Sequence, residues 1–67
     1  MARPFQAGNF YTVRFTTGGY GNRYATKAEA IRDGESTNRY TEAKHGERVV
    51  REVVQFRDWE EVKTFPV

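Results

Sequence analysis

The sequence predicts a small α+β domain: an antiparallel sheet of three to four strands with one helix packed on one face, in the order ββαβ. Three observations lead there. Residues 10–17 and 20–25 are rich in aromatic and β-branched side chains and flank Gly18-Gly19, the pattern of a β-hairpin. Thr26-Lys27-Ala28-Glu29 has the form of a capping box, which opens a helix. Residues 47–56 carry Val49, Val50, Val53, Val54 and Phe56, a third strand in which β-branched side chains dominate.

The chain has 67 residues and no cysteine, so it has room for one domain and no disulfide or thiolate metal site to brace it. A domain of this size buries only roughly 60% of its unfolded surface. Its core must come from a few large side chains. Five Phe, four Tyr and one Trp are present, leucine is absent, and Ile31 is the sole isoleucine. That set suits a pleated surface.

In the hairpin, a two-residue primed turn at Gly18-Gly19 would pair Thr17 with Tyr20, Phe15 with Asn22, Arg14 with Arg23 and Val13 with Tyr24. Tyr11, Val13 and Phe15 then face the core. Thr12, Thr16, Arg14 and Arg23 share the opposite face, which reads as wet. Like charges directly opposite destabilise a hairpin. Such a pair therefore anticipates an anion or a carboxylate, and Glu52 is an internal candidate.

The helix is expected over residues 27–44, closed by Gly46 as a left-handed cap. Ala30, Ile31, Gly34, Thr37, Asn38 and Thr41 fall on one face. Gly34 costs up to about 1 kcal/mol inside a helix, which marks it as a point of close approach to the sheet. The alternative is a break near Gly34 with a restart at Ser36. Tyr40 projects away from this face.

In the third strand, taken as residues 47–57, Val50, Val54 and Phe56 would lie on one side and Val49 and Val53 on the other. Residues 58–65 form a short final element. Asp58-Trp59-Glu60-Glu61-Val62 fits a helix entry with Asp58 as N-cap, and equally a strand. Residues 1–8 read as a flexible arm, since Pro4 removes a backbone donor and holds Arg3 extended.

Composition narrows the function. A net charge of +2 excludes an acidic nucleic-acid mimic and falls short of a dedicated nucleic-acid binder. Arg outnumbers Lys eight to three, and its planar fork suits carboxylate, phosphate and interface contacts. No apolar run approaches membrane-spanning length, and Met1-Ala2-Arg3-Pro4 lacks the apolar stretch of a signal peptide. The expected location is cytoplasmic, with no membrane partner.

Chemistry finds little footing. His45 stands alone, and the carboxylates are scattered singly, so neither a nucleophile–base pair nor a metal site is readable. Gly18-Gly19-Tyr20-Gly21 lacks the Lys-Ser/Thr of a phosphate loop. The expectation is a non-enzyme without cofactor or metal. A one-sided sheet with surplus aromatics and arginines points to binding, because Tyr, Trp and Arg concentrate at interface centres. The candidate residues are Arg14, Arg23, Tyr20, Arg48, Arg51, Arg57, Tyr40 and Trp59. A protein partner is favoured. The alternative is nucleic acid held by hairpin arginines with Phe10 and Tyr20 as stacking surfaces. Free edge strands also allow a homodimer.

In size and layout the chain resembles small phage or mobile-element proteins that dock on and inhibit host factors, anti-CRISPR proteins among them. The resemblance rests on the strand before Gly18-Gly19, the helix opened by Thr26-Lys27-Ala28-Glu29-Ala30, and the strand over residues 47–56. It spans residues 10–65 and contains no diagnostic motif. It implies a non-enzymatic inhibitor that works by steric blockade in the host cytoplasm. It transfers no site residue.

Overall fold

A computed structural model describes residues 7–67. Five elements follow in order: β1 (Phe10–Phe15), β2 (Tyr20–Tyr24), α1 (Lys27–His45), β3 (Val50–Arg57) and β4 (Glu60–Pro66). The four strands form one sheet in the order β2-β1-β3-β4, with every neighbouring pair antiparallel. The helix packs on one face against β3, β1 and β2. The α+β class and the one-sided helix are those the sequence predicts. The final element completes the order as ββαββ. The arm expected over residues 1–8 lies outside the described residues up to position 6.

The helix runs unbroken through Gly34. Thr26 caps its start: its hydroxyl oxygen accepts from the Glu29 N–H at 3.2 Å. The hydroxyl in turn donates to the Glu29 carboxylate at 2.9 Å, so the box closes side chain to side chain. Gly46 closes the other end in the left-handed region and donates its N–H to the Glu42 carbonyl. A Cβ at Gly34 would stand 3.2 Å from Val50 Cγ1 and 3.4 Å from Val13 and Val67. The lack of a side chain there is what brings the helix down onto β1 and β3. Val13, Ala30, Val50 and Val53 are buried at this contact, with Tyr11, Phe15, Tyr24, Ile31 and Phe65 around them.

Asn38 ties the helix to the start of β3. It is 3% exposed. Its Oδ1 accepts from the N–H groups of Val49 (3.0 Å) and Val50 (2.7 Å), and its Nδ2 donates to the Val50 carbonyl (3.0 Å). A buried amide with three backbone bonds is satisfied. It fixes where the chain enters the sheet.

The hairpin departs from its expected register. Gly18 N–H donates to the Phe15 carbonyl and Phe15 N–H to the Gly19 carbonyl, both at 2.8 Å. The loop is thus Thr16-Thr17-Gly18, with Gly18 at φ +99° as the left-handed residue of a three-residue hairpin. A two-residue primed turn of the I′ kind needs positive φ at both glycines, and Gly19 does not adopt it. Arg14 therefore pairs with Tyr20. A bulge then places Thr12 opposite Arg23 and Tyr11 opposite Tyr24. The buried Thr12 hydroxyl serves this bulge, lying 2.7 Å from the Asn22 carbonyl and 3.1 Å from that of Gly21. A Cβ at Gly21 would meet Val13 Cγ2 at 2.6 Å, so the bulged strand closes over Val13 only because glycine is there.

One further expectation changes, and the choice left open at residues 58–62 falls to the strand, β4 starting at Glu60. A second bulge, between the Arg14–Glu52 and Phe15–Val50 pairs, carries Val50 to the helix side with Val53, whereas Val54 and Phe56 stay on the other. Residues 58–62 are no helix entry. Asp58 (φ 53°) and Trp59 (φ 65°) form the two-residue turn of a β3–β4 hairpin closed by Arg57 and Glu60.

Candidate binding site on the uncovered sheet face

The face away from the helix is not the wet surface expected. Alternation in β1 sends Phe10, Thr12 and Arg14 there. Register adds Phe56, Val54 and Glu52 from β3, and Arg23 and Tyr20 from β2. The turn after β3 contributes Trp59. These side chains sort into two neighbouring groups.

The first group is closed on itself. Arg14 lies between two carboxylates: its Nε is 2.9 Å from Glu52 Oε2, and its Nη2 donates to Glu61 Oε1. The Nε contact is an ion pair without hydrogen-bond alignment. The Glu61 hydrogen bond, with the charges of Glu61 and Glu52, outweighs burial and holds the guanidinium above its ordinary pKa. Tyr20 extends the group. Its hydroxyl stands 3.4 Å from Glu61 Oε2, and its ring lies 5.6 Å from the Arg14 guanidinium.

The second group is open. Phe10 stacks on Phe56 with ring centres 4.9 Å apart and 20° between planes. Trp59 meets Phe10 edge-on at 5.8 Å, and Tyr20 meets Phe56 edge-on at 5.6 Å. The Arg23 guanidinium lies 4.6 Å from the centre of Phe10 and 5.2 Å from that of Trp59. Both distances are within cation–π range. Among the described residues no carboxylate pairs with Arg23. Phe10, Thr12, Tyr20, Gly21, Arg23, Phe56 and Trp59 line a pocket of about 390 Å³. Tyr20 is 50% exposed and Trp59 59% exposed at its rim.

Trp59 is held by the segment before β1. Its N–H donates to the Gly8 carbonyl at 3.0 Å, and the Asp58 N–H donates to Asn9 Oδ1 at 2.9 Å. Gly8 has φ +81°, and a Cβ there would come within 3.0 Å of the Trp59 ring and backbone. A bulky residue in the left-handed region costs roughly 1–2 kcal/mol. Such outliers gather where a side chain must be aimed.

Arg14 and Arg23 share this face but do not oppose each other, which corrects the pairing expected from a two-residue turn. The internal neutralisation by Glu52 holds for Arg14. The remaining candidates lie outside the pocket lining. Arg48 donates to the main-chain oxygen of Val67 at 2.9 Å, Arg51 and Arg57 are exposed along β3, and Tyr40 stands on the helix with Lys44 Nζ 5.6 Å from its ring. Sequence reasoning missed Phe56 and Glu61 as parts of the site. The signal for Phe56 is its position opposite Phe10, which needs the β1–β3 register. Glu61 is legible only once Asp58-Trp59 is read as a turn.

Among the described residues no group of His, Asp and Glu is placed to hold a metal ion. Among the described residues no helix is long and apolar enough to cross a membrane. The sheet edges are blunted: β2 is short and bulged, and β4 is bulged, carries Glu60, Glu61 and Lys63, and ends at Pro66. No family model matches the chain, and no curated protein or solved structure is significantly similar to it.

Proposed function

We propose that this domain is a non-enzymatic binding module that docks on a protein partner through the uncovered sheet face and acts by occupying the partner's surface. One observation supports this above others: Tyr20, Arg23 and Trp59 converge on a single pocket with Tyr20 and Trp59 half exposed at its rim. These are the residue types that dominate binding energy at interfaces. The nucleic-acid reading has less support. Phe10 is only 6% exposed and lies beneath Arg23, so its ring is not free to stack on a base. Arg14 is spent on two glutamates, and a backbone track needs several available cations.

The test compares the wild-type chain with Arg23→Gln and Trp59→Gly in affinity capture from host extract. A protein retained by the wild type and lost by both variants supports the reading. Equal retention by all three refutes it. Trp59 is the sole tryptophan, so its fluorescence reports on this pocket directly. Titration with single-stranded oligonucleotides at low salt is expected to leave the emission unchanged. A salt-steep response would transfer the site to nucleic acid.

A further inference from the structure

Building on that reading, we infer that the pocket takes an acidic side chain adjoining an apolar one, presented by the partner, with the carboxylate on Arg23 and the apolar group against Tyr20, Phe56 and Trp59. Charge complementarity carries the inference. Among the described residues, the uncovered face holds Arg14 and Arg23 with two carboxylates, Glu52 and Glu61, and both carboxylates go to Arg14. Among the described residues, the contacts left to Arg23 are the ring faces of Phe10 and Trp59. Residues 1–6 contain no Asp or Glu, so that segment has no acidic side chain to supply.

The geometry also limits the ligand. Two rings brace the guanidinium from Phe10 and Trp59, which orients it without consuming its N–H donors. A carboxylate is the planar two-oxygen acceptor that such a fork binds best. The aromatic walls and a volume of about 390 Å³ accommodate an apolar side chain beside it. A cationic ligand would face Arg23 at close range. A fully apolar one would leave the guanidinium's donors without an acceptor as water is displaced.

The probes are two capped dipeptides, N-acetyl-Phe-Asp-amide and N-acetyl-Phe-Asn-amide. They are titrated into the intact chain at low salt, with Trp59 emission and the Arg23 and Trp59 side-chain N–H resonances as readouts. The Asp peptide is expected to bind in the millimolar range and about tenfold more tightly than the Asn peptide, as one charge-assisted contact would give. Arg23→Gln should erase the difference, and Arg39→Gln, on the exposed side of the helix, should preserve it. Equal binding of both peptides would overturn the carboxylate assignment while leaving apolar docking at this face intact. Absence of binding by either would overturn the inference, and the capture experiment would then decide the broader reading separately. An unchanged preference in Arg23→Gln would overturn it as well.

Discussion

Trp59 donates its backbone N–H to the Gly8 carbonyl, and this bond joins the segment before β1 to the turn that aims the exposed indole. Gly8 cannot carry a side chain without striking that indole, because a Cβ would lie 3.0 Å from Trp59 Cδ1, Nε1 and N. The two residues form a seat and its occupant. The turn holds a tryptophan in a conformation that favours glycine, and neighbouring groups supply what keeps it there.

Replacing Gly8 with Ala should destabilise the domain by about 2 kcal/mol, combining left-handed backbone strain with displacement of the indole. Urea unfolding measures the loss. A shift in native Trp59 emission distinguishes a displaced ring from a general effect on stability.

Trp59→Gly should separate stability from binding. Glycine relieves roughly 1–2 kcal/mol of backbone strain, while the lost edge contact with Phe10 and the lost arginine stacking cost a comparable amount. The melting temperature should move little. A large fall would show that the indole is chiefly a structural prop.

Arg14→Gln should lower stability by about 1 kcal/mol, a modest figure because the pair is partly exposed and screened by solvent. The loss should shrink at high salt, and it should shrink again when Glu52 and Glu61 are both changed to Gln. A gain in stability would contradict the clamp.

Asn38→Ala should cost about 2–3 kcal/mol. It strips partners from the buried backbone groups of Val50 and the half-buried N–H of Val49, and unsatisfied buried groups are expensive. Denaturant unfolding should show the drop, and amide exchange should show the start of β3 opening first.

Tyr24 offers a test in alkali. Burial, with Asp33 nearby, raises its hydroxyl above its ordinary pKa of 10.0, outweighing an opposing hydrogen bond with Asn22. The folded state thus keeps a proton that the unfolded chain has released. Stability should fall as pH rises past the unfolded tyrosine value and continue falling to the folded one. Tyr24→Phe should flatten that decline. An unchanged slope would place its origin elsewhere.

The elements whose causes are local were legible. The Thr26 box, the Gly46 stop and the close approach at Gly34 each depend on residues within one or two helical turns, or on the absence of a Cβ, and the structure keeps all three. The alternation that puts Val13 inward and Arg14 outward was equally readable. The site was legible in part. Tyr20, Arg23 and Trp59 were recognisable as residue types, but their convergence was not.

By itself, then, the chain determined its class, its helix and the inward or outward sense of β1, because capping and side-chain alternation are short-range. Tertiary structure decided which groups meet. Three bulges and a three-residue loop each offset a strand by one position, and one position exchanges a neighbour or a face. Those offsets sent two glutamates to Arg14 and surrounded Arg23 with rings. Pairing between strands is set by packing such as Val13 against Gly21 and by buried bonds such as Thr12 to the Asn22 carbonyl, which arise only when distant segments are brought together.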